Sequence, residues 1–436
     1  MNRVLYIILD DDPTGMQTVH DCSIFTNWKK ETLKLGFIDN RDFFFILTNT
    51  RASNAAEVKN IISEAVSNLL ELNKIYKRNL VFLLRSDSTL RGHFPLELNT
   101  LKNLLPHNCD GIVFVPAFFE GNRITRNNIH YIREGKKLTP CDQSEFSEDS
   151  VFPYRTSHLP SYIEEKTGGQ IKRESVQSID RMILQDRETL NDSLKNINNG
   201  SYLIVNSESY DDLDRFTVAL RESITEGKQW IIQCAASLVK SLTQTPDQLF
   251  IGSESVHRPG PGLILVGSHV NKTTKQLIKL LENPDLGPLE ISVRKILLNI
   301  EKISKDTRVK MKELVNRGKT PAIYTSREEL QFSNIEERLD AGNVISAFLW
   351  GLVRDLEYRP SFILSKGGIT SHDVLTKGLA TSHAIVAGQA AKGVPVIIMP
   401  EDHDLAGMPL IIFPGNVGDD NTVLEVYRAF QKGRTE

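Results

Sequence analysis

Short apolar runs recur along the chain, and most of them stop abruptly at polar residues. Residues 4–9 (VLYIIL) stop at Asp10, Asp11 and Asp12. Residues 43–47 (FFFIL) stop at Thr48-Asn49-Thr50-Arg51, and residues 80–84 (LVFLL) at Arg85-Ser86-Asp87-Ser88. Further runs lie at 112–115, 203–205 and 230–232. A run apolar at every position suits a strand buried on both faces, as in a parallel sheet. Between these runs the period changes. Over 55–72, Ile61, Ile62, Ala65, Val66, Leu69 and Leu70 recur at helical spacing. Residues 134–160 lack either period and read as a loop or flap.

Two prolines and two glycines in 256–262 (VHRPGPG) mark a boundary. The pattern then restarts. Strands are predicted at 263–266, 362–364, 394–399 and 410–413, with a helix running to Leu281 and another over 340–354. Alternating strands and helices predict an α/β fold. The expected architecture is two domains, each a mostly parallel or mixed sheet flanked by helices, with ligand sites facing the cleft between them. The expected boundaries are a substrate-binding domain over 1–250, a linker over 251–262 and a nucleotide-binding domain over 263–436.

Bulk properties narrow the classes. A chain of 436 residues exceeds one ordinary domain. Its formal net charge of −3 gives no basic excess to hold nucleic acid. Cys22, Cys109, Cys141 and Cys234 lie far apart, without metal-ligand spacing, and read as reduced thiols of a cytoplasmic protein. The first apolar run is too short for a signal peptide and none is long enough to span a membrane. No GxGxxG follows the first strand, and no GxxxxGK[ST] or HExxH occurs. A dinucleotide dehydrogenase, a Walker-type phosphate loop and a zinc protease are therefore unsupported.

The densest chemistry lies at 85–92, where Arg85, Ser86, Asp87, Ser88, Thr89 and Arg91 follow a strand. In parallel sheets, ligands gather beyond the carboxyl ends of the strands. Two guanidiniums, a carboxylate and several hydroxyls suit a small anionic polyol, since arginine can grip a carboxylate with two hydrogen bonds. Asp11 and Asp12 stand at the end of the first strand, where carboxylates accept hydrogen bonds from substrate hydroxyls or bind Mg²⁺. Asp-Pro and Thr-Gly in the same segment are also ordinary turn chemistry. In the second half, glycine-containing turns follow three strands, at Gly267, at Gly367-Gly368 and at Gly415. Glycine lets a ligand approach the backbone closely, and together these turns point to a nucleotide cradle.

These pieces resemble the four-carbon acid sugar kinase family. In order along the chain they are DDPTG at 11–15, SDSTLRG at 86–92, PAFFEGNRIT at 116–125, VGSHVNKTTKQ at 266–276, GGITS at 367–371 and FPGNVGD at 413–419. The resemblance implies a two-domain kinase that uses ATP and Mg²⁺ to phosphorylate a four-carbon sugar acid of the threonate, erythronate or 3-oxo-tetronate type at its 4-hydroxyl. It implies catalytic roles among Asp11, Asp12 and Asp87. It also implies substrate contacts at Arg85, Ser86, Ser88, Arg91, Glu120 and Arg123. Nucleotide contacts would fall at Ser268, Gly367, Gly368, Thr370, Gly415 and Asn416. No dedicated protein metal site is expected, no nucleic-acid or membrane partner is expected, and a homodimer stays open. The chain departs from the family pattern at Pro13, at Asn122 where glycine is usual, and at Gln233-Cys234-Ala235-Ala236 where a Gly-Ser-Ala-Gly run is usual. Two alternatives remain: a non-catalytic sugar-acid or nucleotide sensor, and a kinase acting on a larger sugar acid.

Overall fold

In a computed structural model of the chain, residues 3–255, 259–267, 270–327, 335–415 and 417–431 are described. The chain divides into two compact units, Met1–Asp247 and Gln248–Glu436.

The N-terminal unit is built on a parallel sheet. Its strands in chain order are β1 (Val4–Asp10), β2 (Cys22–Phe25), β3 (Phe43–Leu47), β4 (Asn79–Arg85) and β5 (Gly111–Val115). A separate antiparallel set, β6 (Arg123–Arg126), β7 (Ile129–Glu134) and β8 (Lys137–Pro140), comes next. The main sheet is completed by β9 (Gln177–Ile179), β10 (Ser201–Val205) and β11 (Trp230–Cys234). The spatial order is β2-β3-β1-β4-β11-β5-β10-β9, with every neighbouring pair parallel. The apolar runs form the strands because helices cover them. Leu5, Ile7, Leu9, Phe44, Phe82 and Leu84 pack in one core with Val58, Ile62, Val66 and Leu69.

Those last four residues belong to the helix Ala55–Tyr76, which extends past the expected end at 72. Its start is fixed by a capping box. Asn54 Oδ1 accepts from the Ala56 and Glu57 amides at 3.0 and 3.1 Å, and the Asn54 amide donates to Glu57 Oε2 at 3.0 Å. Ile61 and Leu70, expected on the core side, are only half-buried, while Val58 and Leu72 are buried.

The segment 134–160 departs from the expected loop. It contains the end of β7, all of β8, two short 3₁₀ turns (Cys141–Gln143 and Glu145–Glu148) and the start of the helix Leu159–Lys166. Its hairpin partner β6 joins β7 through Asn127 and Asn128, both left-handed at φ 50° and 62°, as a tight two-residue hairpin turn requires.

The C-terminal unit has β12 (Leu263–Val266), β13 (Leu286–Ile291), β14 (Thr320–Thr325), β15 (Ile363–Lys366), β16 (His383–Ala391), β17 (Val394–Ile398) and β18 (Pro409–Phe413). Their order is β13-β14-β12-β15-β18-β17-β16. The first four pairings are parallel, and the pairings of β17 with β18 and β16 are antiparallel. β15 runs on through Ser365 and Lys366, which the sequence pattern places in the following turn. The helix Ile335–Arg354 begins before the expected residue 340.

Candidate functional site

In the N-terminal sheet the chain passes from β1 to β2 and β3 on one side and then crosses to β4 on the other. The carboxyl ends of β1 and β4 therefore border the crevice that such a reversal of strand order opens. Asp10 is in register with Arg85 across this pair. The residues just beyond, 11–15 and 86–92, are brought side by side there.

Arg51, from the turn after β3, ties the two segments together. Its Nη2 and Nε donate to both oxygens of Asp11 at 2.6 and 3.0 Å, a fork-on-carboxylate pair. Its Nη1 lies 3.3 Å from Asp12 Oδ2 and 3.7 Å from Asp87 Oδ1. Asp87 also accepts from Arg91 Nε at 2.8 Å and from the Thr89 hydroxyl. Arg91 reaches Asp149 at 3.4 Å and lies 4.9 Å from the centre of the Phe146 ring. Arg123 lies 5.9 Å from the same ring centre. Asp11, Asp12, Asp87, Arg91 and Arg123 thus share one site.

Arg85 is also there, but only 4 % exposed. Its Nη1 lies 3.2 Å from Asp10 Oδ1 and 3.6 Å from Asp11 Oδ1. Asp10 is fully buried beneath Gly15, where a Cβ would fall 2.0 Å from its carboxylate oxygens. Only glycine fits at position 15.

These neighbours set the carboxylates apart. Burial pushes Asp10 up to about 8, against the pull of Arg85 and with the push of Asp11 and Asp12. Burial also raises Asp11, although Arg51 and Arg85 oppose it. At Asp12 burial pushes up, but Arg51, Arg85 and hydrogen bonds from Thr14 outweigh it and hold the group low. At Asp87 burial is likewise outweighed, by Arg51, Arg91 and Thr89, so its carboxyl lies well below the usual range. Asp12 keeps a side chain about one-fifth exposed, against 4 % for Asp11. It is an ionised carboxylate open to a ligand.

Ser86 accepts a hydrogen bond from Gln233 Nε2 at 2.7 Å. Ser88 is buried, and its carbonyl lies 2.8 Å from Nε2 of His130 on β7. Burial lowers His130 to about 4, so the ring is neutral and can donate to that carbonyl. Glu120 faces Tyr210 and Ser237: the Tyr210 hydroxyl donates to Oε1 at 2.7 Å and Ser237 Oγ lies 3.4 Å from Oε2. Asn122 stands at φ 62°, a conformation open to glycine and tolerated by asparagine, so this departure keeps the local backbone. Gln233 is different, because it puts an amide beside Ser86 and leaves its Oε1 buried without a partner among the described residues.

In the C-terminal unit, β12, β15 and β18 are adjacent and parallel, so their following turns share one rim. Gly367 has φ 114°, which side-chain-bearing residues rarely adopt, and its amide donates to Phe413 O at 2.8 Å. Thr370 packs against Gly267, where a Cβ would lie 2.8 Å from its Oγ1. Gln276, from the helix Asn271–Leu281, donates to the carbonyls of Val417 and Asp419 at 3.0 and 2.8 Å. It ties the helix after β12 to the turn after β18. Gly368 begins the helix Gly368–Asp373, and Gly415 follows β18 after Pro414. Ser268 and Asn416 lie outside the described residues.

Sequence reasoning gives no role to Arg51, Glu97 or Phe146; it counts Asp10 in the acidic run after the first strand and Lys366 beside the Gly367-Gly368 turn, without assigning either a contact. Arg51 carries a usable signal, since it stands in the polar cluster ending the second apolar run. A cleft of about 700 Å³ lies at the amino end of the same N-terminal strands, lined in part by Arg3, Arg78, His107 and Trp230. It contains none of the expected site residues.

A sugar-binding N-terminal domain model matches residues 6–242, and a nucleotide-binding C-terminal domain model matches residues 263–423. A Salmonella typhimurium LT2 protein, described as a candidate tRNA synthase, is similar in structure with a TM-score of 0.72 and 16% identity, over 99% of this chain and 100% of its own. A Haemophilus influenzae protein from a family designated a domain of unknown function gives a TM-score of 0.67 at 16% identity, over 97% and 100%. At that identity the likeness shows the fold alone. No curated protein matches the chain. With a sugar-binding and a nucleotide-binding domain matched in order, the chain belongs to the two-domain four-carbon acid sugar kinase family.

Proposed function

We propose that the protein transfers the γ-phosphoryl group of ATP to the terminal hydroxyl of a four-carbon sugar acid, forming the 4-phosphate. The observation that carries this reading is the cluster of Asp11, Asp12, Arg51, Asp87 and Arg91 at the β1–β4 switch point of the sugar-binding domain. Arg91 and Arg123, both near Phe146, hold the substrate carboxylate. Arg123 suits this because its Nε is buried without a partner among the described residues. Asp12 orients the acceptor hydroxyl and takes its proton as the bond to phosphorus forms. A low pKa is acceptable for that role because phosphoryl transfer relies mainly on positioning and charge neutralisation. Arg51 and Arg85 hold Asp11, Asp12 and Asp87 in place.

The three turns of the C-terminal rim hold the nucleotide. Among the described residues no cluster of three or more His, Cys, Asp or Glu side chains is placed to hold a metal. Mg²⁺ would arrive on the ATP phosphates and neutralise their charge. In-line transfer requires acceptor oxygen and γ-phosphorus to approach closely, so the reactive state brings the two ligands together.

The test is ADP release from Mg-ATP across a panel of threonate, erythronate and 3-oxo-tetronate stereoisomers. One acid should support turnover and yield its 4-phosphate. Asp12→Ala should lower kcat about 10²- to 10⁴-fold with little change in ATP affinity. ATP binding without turnover of any four-carbon acid would sink the assignment and direct the search to larger acids. Absence of ATP binding would leave the sensor in front.

A further inference from the structure

Lys366 is the last residue of β15, at the centre of the C-terminal rim, and only 1 % exposed. Burying an ammonium is costly unless it is paired. Here the pairing is thin. Nζ donates to the Pro414 carbonyl at 2.5 Å and lies 4.4 Å from the centre of the Phe413 ring. Among the described residues no carboxylate forms an ion pair with it. The charge acting on it is of its own sign: Lys272, near the start of the helix Asn271–Leu281. On the following helix, Asp373 is committed elsewhere, to Lys377 at 2.8 Å and to the Ser346 hydroxyl. His372 is the other ionisable group of that helix.

A buried ammonium without an ion pair among the described residues, with a second cation acting on it, marks a place where an anion would be stabilised. Its position defines the anion. Lys366 immediately precedes the Gly367-Gly368 turn, its ammonium reaches the carbonyl just before Gly415, and Lys272 stands on the helix that follows Gly267. Each of the three glycine turns therefore has a lysine beside it or pointed toward it.

Resting on the nucleotide reading above, we propose that Lys366, with Lys272 across the rim, is the phosphate-binding residue of the nucleotide site and reads the β- and γ-phosphates rather than the nucleoside. In the free protein Nζ donates to the Pro414 carbonyl; bound nucleotide supplies the anionic partner. Burial, reinforced by Lys272, lowers Lys366 to about 7. At pH 8 it is then largely neutral in the free protein and protonated once the polyphosphate is bound. Nucleotide binding takes up a proton from solvent.

The experiment is isothermal titration of the full chain with Mg-ATP, Mg-ADP and AMP. Each titration is run at pH 8 in two buffers of different ionisation enthalpy. Wild type should take up a substantial fraction of a proton with ATP and ADP, and little with AMP. Lys366→Met should weaken ATP and ADP about 10- to 100-fold, leave AMP nearly unchanged and abolish the uptake. Lys366→Arg should restore part of the affinity without the uptake. Thermal melting without nucleotide separates this role from a structural one. Removing a poorly paired buried charge should leave the melting temperature unchanged or raise it. Loss of stability in Lys366→Met, or wild-type ATP binding with no proton uptake, would overturn the proposal. If wild type binds no nucleotide at all, the kinase reading itself fails.

Discussion

Glu97 shows how a residue outside the reacting groups still carries the imprint of the site. It is buried on the helix Leu96–Leu104, and the Thr50 hydroxyl donates to it. Burial, with the added charge of Asp11, raises it from 4.5 to about 7 against the pull of Thr50 and Arg51. An acid with a raised folded pKa binds a proton that the unfolded chain has already lost. Its contribution to stability is therefore full below about 4.5, declines as pH rises toward about 7, and is flat above that. Glu97→Gln keeps an acceptor for Thr50 and removes the charge. Denaturant titrations from pH 4 to 8 should converge at the acid end, with the variant more stable by about 1–3 kcal/mol at pH 8. Parallel curves would show that Glu97 does not titrate in this way. Arg51 teaches the complementary lesson. Its residue type and its place at the end of an apolar run were legible, but its role follows from β3 lying directly beside β1, which no local pattern states.

At the scale of elements, the helix Ala55–Tyr76 is held at its start by the Asn54–Glu57 capping box and along its length by a buried face. Asn54→Ala removes the acceptor for two amides. It should cost about 1 kcal/mol in urea unfolding while leaving ADP release untouched, because among the described residues the cap's hydrogen bonds stay within its own helix. A change in kcat would mean that the helix start positions the site. Elements with a strong period were legible in the sequence: the buried parallel strands from their unbroken apolar runs, and the long helix from its spacing. The hairpin strands β6, β7 and β8 were not. They are short, largely polar and only partly buried, and their signal was the Asn127-Asn128 turn. Missing them also hid His130, which braces Ser88. The end of β15 was misjudged for a related reason: a lysine reads as turn or surface, and only the fold shows it inside the sheet.

At the scale of the whole molecule, two domain models match in order along one chain. Each ligand should therefore leave its mark on one domain. In hydrogen exchange, Mg-ATP alone should protect amides within 263–423, around the turns after β12, β15 and β18. The sugar acid alone should protect amides within 6–242, around 11–15 and 86–92. Protection by ATP concentrated in the N-terminal domain would reverse the assignment of ligands to domains. The succession of a sugar-binding and a nucleotide-binding domain model agrees with the two sets of motifs, whereas the order of strands within each sheet was not legible, because pairing between distant segments leaves no local trace.

One of those pairings bears on how the protein is made. β11 lies between β4 and β5 and is hydrogen-bonded to both, yet it is the last strand of its sheet in the chain. During synthesis β4 and β5 emerge long before the strand that joins them. Until Cys234 has cleared the ribosome, the middle of the sheet stays open, with two apolar edges ready to pair with other chains. The nascent domain must therefore be kept from neighbours until nearly its whole length is available, and it should close late, in one step.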